Sequence, residues 1–267
     1  MISATNYDYK NWKEYFPKEI NISSLFPRLD KSWREFFEQM YSSGMFVNVE
    51  RALKEECYAE LASGEKNEIF PYPQLMLFPF ERISIDEIKI VIIGQDPYFN
   101  ARYNSNRMIP EAMGVSFSVP IGTPIPPTLQ NIYKNQLKYK NIFSMPTHGN
   151  LQSWVAQGCL MMNTSFTVKQ GEPNSHKFYW KTITDKLIKY ISDNTKNIIF
   201  VLWGGDAYDK IKLIDVMKHD TIISSHPSGR SCTTPLKSYP AFDNFDHFGT
   251  INDILKKSNK SPIVWQL

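Results

Sequence analysis

IKIVIIGQDPY, at residues 88–98, is a run rich in β-branched residues that ends on glycine, a polar pair, proline and an aromatic. This composition predicts a buried strand leading into a rigid loop, because Gly94 permits close backbone approach and Pro97 fixes its own φ. The Asp96 carboxylate and the Tyr98 ring are then held in a set relation. An isolated Asp-Pro pair is usually an ordinary turn, so the meaning of this loop depends on the rest of the chain.

The composition is that of a globular protein. The chain has 267 residues, of which 42% are hydrophobic and 21% charged, and this suits one large α/β domain. A net charge of +3 does not by itself indicate a partner that is a nucleic acid. Cys57, Cys159 and Cys232 are odd in number and far apart, which argues against a disulfide framework. With no apparent signal peptide or membrane-spanning run, we expect a soluble, intracellular protein that is not secreted.

Four short apolar segments alternate with helical patterns along the chain, which predicts parallel strands with helices on both faces. The segments begin near positions 88, 158, 198 and 221. Polar or small residues follow each of them, namely Asp96, Asn163, Gly205 and His226. In open parallel sheets, these carboxyl ends form the functional site. The predicted fold is therefore a three-layer α/β/α domain around a central four-stranded, mainly parallel sheet.

Helices are predicted where apolar residues recur three and four positions apart. Ser32 is the expected N-cap of a first helix, and a second spans residues 49–61 with Gly64 as its stop. Thr128 is the expected N-cap of a helix that follows a stiff Pro-rich loop, and another helix covers residues 180–191. The prolines of FPYP at residues 70–73 predict a connector, and residues 99–111 a polar loop.

The N-terminus is predicted to be a separate extension. Residues 1–29 carry scattered aromatics without sustained periodicity, and the sequence leaves open whether they pack on the body or stay partly mobile. Residues 30–267 contain no linker or internal repeat that would divide them, so we expect them to form one domain.

Five motifs occur in order along the chain: GQDPY at 94–98, IPPT at 125–128, MMNTSFTV at 161–168, HPSGRS at 226–231 and SPIVW at 261–265. Together they resemble the family 1 uracil-DNA glycosylases, over residues 33–265. In that family the first four correspond to the water-activating loop, the Pro-rich loop, the uracil-recognition strand and the minor-groove intercalation loop. The resemblance implies a base-excision repair enzyme that flips uracil out of DNA, hydrolyses its N-glycosidic bond and leaves an abasic site.

The resemblance also implies catalytic roles for two side chains. Asp96 would orient and partly deprotonate the attacking water while its charge favours the cationic sugar. His226 would donate a hydrogen bond to uracil O2 as negative charge accumulates on the base. Neither role requires a metal ion, and no cofactor is implied.

Four further residues are assigned to uracil recognition by the same resemblance. Phe117 would stack on the flipped base, and Asn163 would read its edge through one acceptor and one donor. Tyr98 would exclude the thymine methyl group, and Gln95 would complete the pocket. Cytosine is rejected because its amino group reverses the polarity that Asn163 expects.

DNA contacts are implied for residues on short polar loops. Thr128, Gly205, Ser228 and Ser231 match positions that contact phosphates. Arg230 replaces the usual leucine wedge, and we hypothesise that its guanidinium enters the minor groove and fills the vacated stack, as some viral members suggest. The implied partners are uracil-containing single- and double-stranded DNA, with replication or repair proteins left open. We expect a monomer in the nucleus, the cytoplasm or a viral replication site.

The chain departs from the family pattern at other positions too. Phe99 stands where histidine is common, and Gly205 stands where a serine would offer a hydroxyl group. Extra residues between Tyr98 and Phe117 include Arg102 and Arg107, and they form either a surface loop without a role or a DNA contact.

Other functions remain as alternatives. A DNA clamp that kept the fold would bind uracil-containing DNA without releasing uracil. A zinc deaminase is disfavoured because no Cys-x-x-Cys occurs, and a Rossmann dehydrogenase because no Gly-x-Gly-x-x-Gly follows a strand. His148, His219 and His247 have no partners at ligand spacing and are expected in core or surface roles. His176 matches a position that supports the site, and its role is left open.

Overall fold

A computed structural model describes residues 1–59, 68–104 and 107–267. The strands are β1 Ile69–Phe70, β2 Ile90–Gly94, β3 Ala101–Asn104, β4 Arg107–Pro110, β5 Cys159–Asn163, β6 Val168–Lys169, β7 Ile199–Trp203 and β8 Asp220–Ser224. The α-helices are α1 Trp12–Tyr15, α2 Lys31–Ser42, α3 Val47–Tyr58, α4 Pro73–Met76, α5 Phe78–Arg82, α6 Pro127–Lys138, α7 Gln152–Val155, α8 Lys177–Asn194, α9 Gly205–Tyr208 and α10 His247–Lys257. Short 3-10 helices occupy Ile22–Arg28, Ile85–Glu87, Asp209–Leu213 and Phe242–Asn244.

The central sheet has the strand order β5-β2-β7-β8, and every pairing in it is parallel. Three of its four strands, β2, β5 and β7, are buried along their whole length. Their unbroken apolar runs require this burial, because helices cover both faces of the sheet. The predicted three-layer α/β/α fold is therefore confirmed. Because the strands are parallel, Asp96, Asn163, Gly205 and His226 emerge at one edge of the sheet.

The N-terminal residues pack on the body of the protein. Their apolar side chains are buried, including Ile2, Tyr7, Trp12, Phe16, Ile20, Ile22, Leu25, Phe26 and Leu29. Ile121 lies just before the Pro-rich loop, and its backbone N–H donates to Ile2 O while its carbonyl accepts from Ala4 N. Asn104 on β3 donates to Ala4 O, so the same segment also contacts the residues inserted after Tyr98.

Two predicted N-caps were wrong. Helix α2 begins after Asp30, whose carboxylate accepts from the backbone N–H of Ser32. Aspartate and serine are both good N-cap residues, and here the earlier of the two, Asp30, caps the helix. Helix α6 begins after Pro126, with Pro127 in its first turn, so Thr128 lies inside the helix. Proline at the first helical position loses no hydrogen bond, because that N–H has no partner within the helix.

Several predicted boundaries also differ. Helix α3 spans Val47–Tyr58 rather than residues 49–61, and the predicted stop at Gly64 lies outside the described residues. Helix α8 is longer than the predicted 180–191, and Pro73 begins α4 within the predicted connector. The polar loop expected at residues 99–111 contains instead an antiparallel pair, β3 and β4. Strand β3 is mostly exposed and β4 is buried only at its last two residues, Ile109 and Pro110, so no apolar alternation marked them as strands.

Candidate active site

One pocket of about 180 Å³ opens at the carboxyl edge of the sheet. Its lining includes seven of the residues assigned from the sequence: Gln95, Asp96, Tyr98, Phe117, Thr128, Asn163 and His226. Asp96 follows β2, Asn163 ends β5 and His226 follows β8, so three parallel strands deliver them to the same cavity. The departure Phe99 lines the pocket as well.

Only one of the two Asp96 carboxylate oxygens has a hydrogen-bond partner among the described residues. Oδ2 accepts a hydrogen bond from the backbone N–H of Asn174, whereas Oδ1 is buried without a partner among the described residues. Burial raises the pKa of Asp96 above its usual value. The Asn174 N–H and the nearby Lys177 and His176 oppose that rise, and Asp206 adds to it.

Asn174 is a site residue that the sequence analysis missed. Its side-chain Oδ1 accepts from Gln95 Nε2 at 2.5 Å, so the residue bridges two consecutive positions of the loop after β2. Its φ is 64°, a left-handed conformation that asparagine tolerates better than most residues. The contact with Asp96 uses the backbone amide, which every residue except proline has, so the sequence carried no signal for it.

His226 is oriented by its own turn. Its Nδ1 accepts from the backbone N–H of Ser228 at 3.1 Å, so a neutral imidazole carries its proton on Nε2. Burial lowers the pKa of His226 to about 4, with Asp206 acting in the opposite direction, and the ring is therefore neutral at pH 7. Gly204 has φ of 90°, and a Cβ there would lie 2.8 Å from His226 Cβ, so glycine permits this approach.

Two aromatic residues form a wall of the pocket. Phe117 has φ of 63°, an unusual conformation for an aromatic residue, and its ring centroid lies 6.0 Å from that of His226 and 5.8 Å from that of Trp203. The Tyr98 hydroxyl donates to Phe117 O at 3.4 Å. Burial raises the pKa of Tyr98, so its phenol remains neutral. This hydrogen bond therefore links the Tyr98 side chain to the backbone of Phe117, beside the catalytic candidates.

The remaining DNA-contact candidates lie on two turns beside the pocket. Gly205 is exposed and opens α9. Ser228 Oγ and Ser231 Oγ are 3.0 Å apart, and Ser231 Oγ donates to His226 O at 3.1 Å, so these hydroxyls also hold the turn after His226. Arg230 lies at the exposed tip of that turn.

His176 lies directly behind Asn174 and is fully buried. Its Nε2 is 2.8 Å from Glu56 Oε2, and its Nδ1 is 2.8 Å from Thr167 Oγ1, which also accepts from Trp180 Nε1 at 2.6 Å. The ring is thus fixed at both nitrogens, by Glu56 of α3 on one side and by Thr167, just before β6, on the other. Nothing in the spacing of Glu56 along the sequence indicated this contact.

The other histidines have structural surroundings. His219 and His247 are buried, and each makes hydrogen bonds at both ring nitrogens, as expected for core residues. Across residues 1–59, 68–104 and 107–267, no three His, Cys, Asp or Glu side chains are grouped so that they could hold a metal ion. Over the same ranges, no helix combines the length and apolar character that crossing a bilayer demands.

Comparisons with known proteins agree with this geometry. Residues 80–256 match the model of the uracil DNA glycosylase superfamily. The chain is 38% identical to a probable uracil-DNA glycosylase of Acanthamoeba polyphaga mimivirus, covering 100% of this chain and 72% of the relative. It is 36% identical to the uracil-DNA glycosylase of Azotobacter vinelandii, covering 90% of this chain and 95% of the relative.

The same relationship appears among solved structures. The crystal structure of mimivirus uracil-DNA glycosylase superposes with a TM-score of 0.90 at 38% identity, over 100% of this chain and 97% of that one. A variant of the mimivirus protein in complex with UGI also superposes with a TM-score of 0.90, over 98% of its chain. Because the family model matches residues 80–256 of this chain, and because relatives at 36–38% identity match 90–100% of it, the chain belongs to the uracil-DNA glycosylases.

Proposed function

We propose that this chain is a family 1 uracil-DNA glycosylase in which Asp96 and His226 carry out the reaction. As a uracil-DNA glycosylase it is a base-excision repair hydrolase, which cleaves the N-glycosidic bond of uracil in DNA. One observation carries the assignment of residues: the same pocket is lined by a neutral imidazole and by a carboxylate, one of whose oxygens has no partner among the described residues.

Asp96 serves the sugar and the water. Its Oδ2 is engaged by Asn174, which leaves Oδ1 to accept a hydrogen bond from the attacking water. As the bond from C1′ to uracil N1 breaks, the carboxylate charge favours the developing oxocarbenium ion. The water oxygen then bonds to C1′ and its proton passes to Asp96, while the electron pair of the broken bond leaves with uracil.

His226 serves the leaving group. Because Nδ1 accepts from Ser228, the ring's proton is on Nε2, where it can donate to uracil O2. A neutral donor suits an anion that forms only as the reaction proceeds, since its hydrogen bond strengthens with the charge on O2. Burial keeps the ring neutral over the physiological range.

The rest of the pocket selects uracil. Phe117 stacks on the flipped base, and Asn163 offers an acceptor and a donor to its edge. Tyr98 occupies the space beside C5, where the methyl group of thymine would clash. Gln95 completes the pocket and is held by Asn174.

The loops around the pocket bind the DNA backbone and the stacked bases. Thr128, Gly205, Ser228 and Ser231 contact phosphates, and the exposed Arg230 fills the stack that uracil vacates. The substrates are uracil-containing single- and double-stranded DNA, and the enzyme acts as a monomer.

Residues 30–267 form the catalytic domain, with residues 1–29 as an extension packed on it. Because a mimivirus relative is solved with UGI, we expect UGI to bind this chain too.

The test is release of free uracil from oligonucleotides, single- and double-stranded, that contain uracil or thymine. We expect the wild type to release uracil and to leave thymine in place. Asp96→Asn removes both the negative charge and the general base, so uracil release falls about 10³-fold while DNA binding is retained. The matched control is Asp86→Asn. Asp86 is exposed and lies just before the N-terminal end of β2, away from Asp96, so this variant should leave uracil release unchanged. Binding without release by the wild type would favour the DNA clamp, and full activity of Asp96→Asn would remove Asp96 from the mechanism.

A further inference from the structure

An ion pair joins the two turns that flank the catalytic groups. Lys177 Nζ lies 2.6 Å from Asp206 Oδ1, and both side chains are 39% exposed. Lys177 begins α8, three residues after the Asn174 amide that holds Asp96. Asp206 lies in α9, two residues after Gly204, whose backbone packs against His226. The pair therefore connects the support of one catalytic group to the support of the other.

Through its charge, Lys177 acts on Asp96, and Asp206 acts on both Asp96 and His226. Lys177 lowers the pKa of Asp96, and Asp206 raises it. Asp206 also raises the pKa of His226, against the larger effect of burial. The other charged or titratable group that acts on Asp96 is His176, which lowers its pKa.

We propose that Lys177 and Asp206 are positioning residues for glycosidic bond cleavage, whose ion pair balances the charge around Asp96 and His226. The inference rests on the roles proposed above for those two groups. Without Lys177, the Asp206 carboxylate would lose the cation paired with it at 2.6 Å. The other lysines of the same cavity are paired with Asp185, as Lys181 and Lys210 are, or exposed, as Lys212 is. The charge of Asp206 favours protonation of Asp96 and His226, whereas the reaction needs an ionised Asp96 and a neutral His226, and it would repel the departing uracil anion.

A purely structural tie between the two turns makes a different prediction. Breaking such a tie from either end would have the same consequence, because the same contact is lost. A balance of charge predicts opposite consequences, because removing Lys177 leaves a negative charge and removing Asp206 leaves a positive one. The sign of the change therefore separates the two explanations.

The experiment measures single-turnover uracil release against pH for the full-length chain. In Lys177→Met, we expect the acidic limb of the profile to move up by about half a pH unit, because the pKa of Asp96 rises. In Asp206→Asn it moves down by about the same amount, because both pKa values fall. The double variant returns towards the wild type, and Lys177→Arg and Asp206→Glu keep the wild-type profile.

A matched control lies on the same helix. Lys189 and Asp193 form an ion pair of 3.0 Å with exposed side chains, about 18 Å along α8 from Lys177. Lys189→Met and Asp193→Asn alter the chain's net charge in the same way and leave the acidic limb unmoved. A general effect of net charge would move the limb in these variants as well and would overturn the proposal.

The proposal is also overturned if Lys177→Met and Asp206→Asn move the limb in the same direction, or lower release equally without moving it. Failure of the proposed catalytic roles is a separate result. It would appear as full activity of Asp96→Asn, whatever the profiles of the ion-pair variants.

Discussion

Gly94 and Asn163 are paired across β2 and β5, and a Cβ at position 94 would lie 2.2 Å from Asn163 Oδ1. It would also lie 3.0 Å from Ser116 Cβ. The strand that carries Asp96 thus has to end on a residue without a side chain, so that the carboxamide at the end of the neighbouring strand keeps its place. One glycine therefore links the position of Asn163, the proposed uracil reader, to that of the loop that carries Asp96.

We therefore predict that Gly94→Ala impairs catalysis more than folding. The added methyl group displaces the Asn163 carboxamide, which is the flexible end of a side chain, and uracil release falls about 100-fold for a displacement near 1 Å. Release kinetics on single-stranded DNA measure the loss, and thermal unfolding measures stability. Wild-type release by this variant would show that the Asn163 carboxamide does not set the rate.

A second prediction concerns acid stability and His247. This ring is fully buried, accepts from Trp203 Nε1 at its Nδ1 and donates to Phe242 O, and burial lowers its pKa to about 3. The unfolded chain binds this proton near pH 6.5, so between pH 6.5 and 3 the unfolded state binds more protons. The folded state therefore loses stability as pH falls through that window, by a few kcal/mol from this group.

Urea unfolding at intervals from pH 7 to pH 4 measures the effect. His247→Gln can keep the bond from Trp203 but cannot take up a proton, so it should be less stable at pH 7 and show a shallower loss towards pH 4. An unchanged slope would mean that other groups account for acid unfolding.

The sheet was predictable because its strands are uninterrupted apolar runs, and the pocket followed from their parallel pairing. What the sequence could not show depends on contacts without a residue-type signal. Asn174 holds Asp96 through a backbone amide, and Lys177 meets Asp206 only because two turns converge. The strands β3 and β4 were missed because neither shows the alternation of apolar and polar residues that marks a half-buried strand.

A third prediction separates stacking from charge at Arg230. If the guanidinium fills the vacated stack, Arg230→Ala lowers release from duplex DNA about tenfold or more and affects single strands much less, because only a duplex has a stack to refill. Arg230→Lys keeps the charge but loses the planar group, so it should behave like the alanine variant on duplex. Equal losses on both substrates, or full rescue by lysine, would assign Arg230 to phosphate contact instead.

The last prediction concerns the first nine residues. Ile2 and Ala4 hydrogen-bond to Ile121, a few residues before the Pro-rich loop, and Ile2 and Tyr7 are buried. Deleting residues 1–9 should raise KM for DNA several-fold with little change in kcat, because the segment supports the proposed DNA-contact loop and touches neither Asp96 nor His226 among the described contacts. The matched control is Asp8→Asn, whose ion pair with Arg107 is too exposed to contribute more than about 0.5 kcal/mol. Steady-state kinetics distinguish the outcomes: a fall in kcat at unchanged KM would mean that the segment acts on the catalytic groups rather than on the loop.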